Sequence, residues 1–159
     1  HTVTDNLVYQ FMESYILGKK PTFVSDIVDA ILELPEHQAA AKLGAGPRII
    51  SGSSDRRTGK IAFTDITGGT SGADQAYEHL SRNGVGTVLA MHMKEDHLKV
   101  AKAAHLNVVI AGHISSDSLG MNLLLDDLEA SGVTVMSAGG LIRVKRPTKP
   151  GSRKAKEIG

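Results

Sequence analysis

A histidine and an aspartate lie four residues apart where an apolar stretch ends and a helix is predicted to begin. They are His113 and Asp117, in the segment 110–120. A neutral imidazole nitrogen and an anionic carboxylate oxygen form the mixed ligand set that suits Zn, Mn or Fe at a hydrolytic site. The pair also has a structural explanation, because Asp117 between two serines is a natural N-cap of the following helix, hydrogen-bonded to His113. The residues alone leave metal binding and capping equally open.

The first five residues repeat this spacing. His1 and Asp5 are again an imidazole and a carboxylate four residues apart, just ahead of a predicted helix. Two such pairs at element boundaries favour metal binding over two unrelated structural roles.

A further histidine, His92, follows directly on another apolar stretch. It lies between two methionines, so it is either a packed histidine with a hydrogen-bond partner or a residue of the site. The acids just after it, Glu95 and Asp96, are interpreted as first-turn residues that stabilise the helix dipole. The other histidines lie within or at the end of helical stretches, and we assign them surface or packing roles: His37, His79, His97 and His105.

A glycine-rich turn occupies residues 64–72 between a predicted strand and a helix. The helix N-terminus and the turn at Gly68, Gly69 and Gly72 could accept an anionic group. The turn lacks the lysine of a Walker A loop and the spacing of a dinucleotide fingerprint, which favours an ordinary strand-to-helix connection.

The elements that position these residues follow from hydrophobic periodicity. Three helices are predicted first, over 4–17, from Pro21 to Pro35 and over 35–43, followed by a short strand at 47–52. Strands and helices then alternate, which predicts an α/β fold with a layered, mostly parallel sheet and covering helices. Such sheets bind ligands beyond the carboxyl ends of their strands. The alternating series comprises strands 60–66, 86–91, 107–111 and 133–136, and helices striped by Ala73, Ala76, Tyr77 and Leu80, spanning 94–104, and striped by Met121, Leu124, Leu125 and Leu128.

The composition limits the classes of function that this sequence can have. The 159 residues form one domain of ordinary size, and the absence of cysteine excludes disulfides, thiolate zinc sites and cysteine nucleophiles. No apolar run reaches the roughly 18 residues of a membrane span and no signal peptide is visible, so we expect no membrane association and a cytoplasmic location. The chain begins at His1 and enters a helix almost at once, from which we expect that an N-terminal part is absent.

The net charge of +1 is unevenly distributed. Residues 143–159 contain seven Lys or Arg and one acid, a formal charge of +6, so residues 1–142 carry −5. The prolines, glycine and scarcity of apolar residues in 143–159 predict a disordered, solvated tail. No aromatic residues are interleaved for base stacking, so nucleic acid is not the expected partner.

The order and spacing of these motifs resemble one family. His-Thr-x-x-Asp at the start, Thr-Gly-Gly-Thr at 67–70, a strand end at His92 and Ala-Gly-His-Ile-Ser-Ser-Asp at 111–117 are similar to the Nif-three-like (Ngg-one-interacting factor three) family of dinuclear metal proteins. Its members are often described as GTP cyclohydrolase I type 2 homologues. The resemblance covers nearly all of 1–142 and is strongest in 59–130, which identifies 1–142 as the C-terminal part of such a domain.

The resemblance implies a layered α/β fold, a ring-shaped homo-oligomer, commonly a hexamer, and two divalent metals in each subunit. It implies that Asp5, His113 and Asp117 are metal ligands and that His1 lies beside the site. It also implies that His92 faces the metal cavity, where it could shuttle a proton during hydrolysis of a small-molecule substrate that the sequence does not name.

Two features depart from the family pattern. Many relatives have glutamate at the position of Asp117, whose side chain is one methylene shorter. The family also has a His-His pair in an N-terminal segment, and this sequence contains no adjacent histidines. The sequence therefore leaves three hypotheses for the function. The first is a metal-dependent hydrolase, and the second is a non-catalytic metal-stabilised scaffold or interaction ring. The third is a nucleotide-binding domain that uses the glycine turn without metal.

Overall fold

The computed structural model describes residues 3–64 and 75–147. Within these residues the chain forms six helices and four strands, in an order that keeps the predicted alternation. None of the described helices is long and apolar enough to cross a membrane. The elements are α1 (Val3–Gly18), α2 (Val24–Leu32), α3 (Pro35–Lys42), β1 (Arg48–Ser51), β2 (Lys60–Phe63), α4 (Gln75–Arg82), β3 (Val85–Ala90), α5 (Glu95–Ala103), β4 (Asn107–Ile110) and α6 (His113–Ala130).

The described strands form one sheet in the order β1-β4-β3-β2. Strands β2, β3 and β4 are parallel, whereas β1 pairs with β4 in the antiparallel direction. The central strands β3 and β4 are almost continuously apolar, as expected for parallel strands that are covered on both faces. The predicted mostly parallel α/β sheet is therefore confirmed.

Adjacent residues of the central strands belong to different cores, because successive side chains point to opposite faces of a sheet. Leu89 and Val109 pack with α1, α2 and α6 in one buried cluster. Val88 and Val108 pack with α4 and α5 in a second cluster. Helices thus cover both faces, which is the layered arrangement that the sequence predicts.

The predicted strand at 133–136 is wrong. In the described part of the chain, residues 133–138 have no regular secondary structure, and none of the four described strands pairs with them. A β-branched sequence needs a neighbouring strand to supply backbone hydrogen bonds, and local propensity cannot replace that neighbour.

The predicted apolar face of the last helix is only partly buried. Met121 and Leu128 are exposed on α6, whereas the buried face of this helix is largely polar. That buried face contains Ser115, Ser116, Ser118, Leu119, Gly120, Asn122 and Asp126.

Candidate metal site

His113 is the first residue of α6 and lies just beyond the carboxyl end of β4. The connection is short, and Gly112 takes a φ of 109° that favours glycine. The hydroxyl of Ser116 donates to the Gly112 carbonyl at 2.6 Å, which closes the first helical turn. A strand end and a helix start thus place the imidazole at the edge of the sheet where ligands bind in such folds.

Asp117 is not the N-cap of α6. The helix begins at His113, so Asp117 lies in its second turn and the cap position belongs to Gly112. His113 and Asp117 are therefore an i, i+4 pair on one helical face, which brings their side chains together.

The two side chains meet outside the core. His113 Nε2 lies 3.2 Å from Asp117 Oδ2, and the side chains are 58% and 51% exposed. Two atoms that bind one zinc ion at about 2.1 Å are about 3.0–3.4 Å apart for angles between square and tetrahedral. The separation and chemistry of this pair therefore fit two ligands of one divalent ion.

His92 lies beside this pair because its strand is the neighbour of β4. Ala90 of β3 is opposite Ile110 of β4 in the parallel ladder, and each strand ends there, two or three residues before its histidine. The rings of His92 and His113 stack, with centroids 5.0 Å apart and an interplanar angle of 14°. Nδ1 of His92 is buried and has no hydrogen-bond partner among the described residues.

Asp5 approaches from α1. It lines a cleft of about 260 Å³ between α1 and α6, and Asp117 lines the opposite wall. The described residues nevertheless contain no group of three or more His, Asp or Glu side chains close enough to hold a metal ion. The structure thus brings His92, His113 and Asp117 together and places Asp5 across the cleft, while His1 and the glycine turn at 68–72 lie outside the described residues.

A buried ionic network on the other side of α6 was not predicted from the sequence. Glu36 of α3 is fully buried, and its carboxylate accepts two hydrogen bonds from Arg146, at 2.6 and 2.7 Å. Burial raises the pKa of Glu36, but hydrogen bonds from Arg146 and Asn122 outweigh it and hold the pKa below its usual value. The sequence signal was weak, since a Glu in the first turn of a short helix usually faces solvent.

Arg146 belongs to the segment that charge and composition assigned to a disordered tail beginning at residue 143. In the structure residues 143–146 pack against α6, with Arg143 paired to Asp126 at 2.6 Å. Residues 148–159 lie outside the described residues.

His37, next to Glu36, is also fully buried, and neither of its ring nitrogens has a hydrogen-bond partner among the described residues. The pKa of His37 is lowered from 6.5 to about 4, chiefly by burial; the charge of Glu36 opposes this shift and the charge of Arg146 adds to it. His37 therefore has a packing role, as a neutral imidazole in the core.

These features define a class: a layered α/β protein with imidazole and carboxylate side chains gathered at the carboxyl ends of two adjacent parallel strands. The chain matches none of the known protein-family models, and no curated protein matches it.

Its fold is similar to that of a NIF3 superfamily protein from Sphaerobacter thermophilus, with 29% sequence identity and a TM-score of 0.63. The match covers 82% of this chain and 46% of that chain. A Bacillus cereus protein related to NIF3 aligns with 17% identity over 70% of this chain and 28% of that chain, with a TM-score of 0.42.

The Sphaerobacter structure confirms the family resemblance that the motifs predict. The chain spans about half the length of this relative, with 46% of the relative covered. That partial coverage agrees with the prediction that the resemblance concerns one portion of the domain.

Proposed function

We propose that the protein binds divalent metal through His113 and Asp117, with Asp5 across the cleft, and that it is a metal-dependent hydrolase of unknown substrate. The 3.2 Å approach of His113 Nε2 to Asp117 Oδ2 carries this proposal. The described residues supply too few donors for a complete site. Further ligands must therefore come from elsewhere, and two ions, Zn, Mn or Fe, are proposed for the complete centre.

Divalent ions in hydrolytic sites activate water and stabilise negative charge that develops on a substrate oxygen. The protein's own residues have separate tasks. His113 and Asp117 hold the ligand atoms in a fixed relation because both belong to α6. His92 packs against His113 and restricts its ring, and we assign proton transfer to its Nδ1, the atom without a hydrogen-bond partner among the described residues.

Cobalt provides a direct test, because its visible spectrum reports the number and kind of ligands. We expect the chain to bind Co²⁺ with a ligand-dependent spectrum, and His113→Ala to lose that spectrum and to weaken binding at least about tenfold. His79→Ala is the matched control, since His79 is an exposed histidine that lines a different cleft. Absence of metal from the purified protein by elemental analysis, together with no cobalt binding, would exclude the proposal.

A second candidate is a non-catalytic, metal-stabilised ring, and the exposed apolar side of α6 favours it. Ile114, Met121 and Leu128 are 43%, 37% and 39% exposed, which is the kind of surface that subunit contacts cover. In this case we propose a homo-oligomer, in the form of a hexamer, in the cytoplasm. Light scattering after chromatography distinguishes the two: His113→Ala would reduce assembly in a scaffold, whereas in an enzyme it would leave assembly intact and abolish turnover.

A further inference from the structure

The segment of the chain that follows α6 packs against this helix, which forms one wall of the cleft between Asp5 and Asp117. Residues 142–147, here termed the C-terminal strap, run along the polar buried face of that helix. The backbone N–H of Ile142 donates to Ser118 Oγ at 3.2 Å, and the Ile142 carbonyl accepts from Asn122 Nδ2 at 2.8 Å. The first contact of the strap on α6 is therefore with Ser118, the residue that follows Asp117. It lies on a face of the helix next to the face that carries Asp117.

Arg143 fixes the strap to the middle and the end of α6. Its guanidinium donates to Asn122 Oδ1 at 3.2 Å, Asp126 Oδ1 at 2.6 Å and Glu129 Oε2 at 3.1 Å. The side chains of Arg143 and Asp126 are only 14% and 7% exposed. Because these contacts combine charge with hydrogen bonding away from solvent, they are stronger than ordinary surface ion pairs.

Arg146 joins three helices. It forms the two-bond pair with Glu36 of α3, and its backbone N–H donates to Asp126 of α6 at 3.1 Å. Its guanidinium also lies 5.7 Å from the ring centroid of Phe11 on α1. Arg146 therefore links the two walls of the cleft, because its side chain contacts α1 and α3 and its backbone contacts α6.

The two walls pack closely at Gly120. A Cβ atom built on Gly120 of α6 would lie 2.9 Å from the carbonyl oxygen of Thr4, the residue before Asp5. A larger side chain at this position would push the walls apart, so the close approach of α6 to α1 requires glycine here.

We propose that Arg143 and Arg146 are positioning residues, which set the separation of α1 and α6 and thereby the relation of Asp5 to His113 and Asp117. The inference rests on the proposed metal site for its consequence, although the restraint on the cleft can be measured without metal.

The first measurement uses the absence of native cysteine. Asn6→Cys and Ala130→Cys place exposed labelling sites on α1 and α6, outside the lining of the cleft. We expect pulsed electron paramagnetic resonance on the nitroxide-labelled chain to give one narrow distance distribution, which becomes broader and longer in Arg143→Met/Arg146→Met. If that variant fails to fold, Glu36→Gln/Arg146→Met removes the buried charge together with its partner. An unchanged distribution in a folded variant overturns the inference.

The second measurement is Co²⁺ affinity, compared between variants of equal stability. We expect a loss of about tenfold or more when the strap arginines are replaced, in the range seen for residues that orient metal ligands. Arg146→Lys should restore part of it. Leu106→Ala is the control, because it destabilises the buried cluster on the other face of the sheet and should leave affinity unchanged.

The outcomes separate the two proposals. If the wild-type chain binds no cobalt, the proposed metal site fails while the nitroxide distances still decide the role of the strap. If Leu106→Ala weakens cobalt binding as much as the arginine variants do, the strap contributes only stability and the inference fails.

Discussion

The imidazole ring of His92 lies on that of His113, with centroids 5.0 Å apart and planes 14° from parallel. The contact joins the ends of two neighbouring strands, because Ala90 and Ile110 are paired in register. His92 therefore restricts the ring of the histidine that contacts Asp117, whether or not His92 itself binds a metal.

Substitutions of His92 can distinguish two roles for this residue, orientation of the His113 ring and direct metal binding. We expect His92→Phe to keep the stacking and to leave Co²⁺ affinity within about threefold, whereas His92→Ala should lose ring orientation and about tenfold in affinity. The measurement is a cobalt titration followed in the visible spectrum. Equal losses in both variants would show that His92 is itself a ligand, which contradicts the assigned role in proton transfer.

Asp117 differs from the glutamate that many members of the resembled family have at this position. Asp117→Glu keeps the charge but moves the carboxylate by one methylene, while Asp117→Asn keeps the length and removes the charge. We expect Asp117→Asn to weaken Co²⁺ binding about tenfold or more and Asp117→Glu to change metal preference with a smaller loss. Calorimetric titration with Zn²⁺ and Mn²⁺ tests this, and an unchanged affinity in Asp117→Asn would remove Asp117 from the ligand set.

His37 makes the stability of the protein depend on pH. Its pKa of about 4 in the folded state is below the ordinary 6.5, so the unfolded chain binds more protons between these values. The contribution of neutral His37 to the free energy of unfolding is fully present above pH 6.5. It is lost as the pH falls from 6.5 to 4, by at most about 3 kcal/mol. Urea unfolding of wild type and His37→Leu between pH 4 and 7 measures it. The variant should show the shallower dependence, and an identical slope would disprove the assignment.

The strap makes a second contribution to stability through Glu36. Arg146→Met leaves this fully buried carboxylate without its two-bond partner, and we expect a loss of about 3–5 kcal/mol. Glu36→Leu/Arg146→Met removes both charges and should recover most of the loss. Lys145→Met is the control, since Lys145 is 74% exposed and should cost less than about 1 kcal/mol. A double variant as unstable as Arg146→Met would show that packing, and not the unpaired charge, dominates.

The parallel sheet and its covering helices could be predicted because they follow from local periodicity. Apolar runs such as 107–111 identify buried strands, and alternation with helices defines their arrangement. The same pattern predicts that His92 and His113 lie at one edge of the sheet, since the carboxyl ends of adjacent parallel strands meet there.

The buried network and the failed strand depend on distant partners, which periodicity does not contain. Glu36 pairs with Arg146 across 110 positions of the sequence, and a basic segment looks like a solvated tail until its acidic partners are known. Residues 133–136 have strand propensity, yet strand formation is decided by a neighbour and none of the described strands provides one.

Gly120 tests how closely the two walls of the cleft must approach. Alanine is the better helix former by about 1 kcal/mol, so in an isolated helix Gly120→Ala would be stabilising. Here the added Cβ would lie 2.9 Å from the carbonyl oxygen of Thr4 and 3.3 Å from Val8 Cβ, and backbone cannot move aside as a flexible side chain does. We expect a net destabilisation of about 1–3 kcal/mol and a longer nitroxide distance between α1 and α6. Gly132→Ala is a poor control because its φ is 92°, so Asp127→Ala on the exposed side of α6 is preferred. A Gly120→Ala protein as stable as wild type, with an unchanged distance, would show that the existing space accommodates a methyl group and that the cleft is not set by this contact.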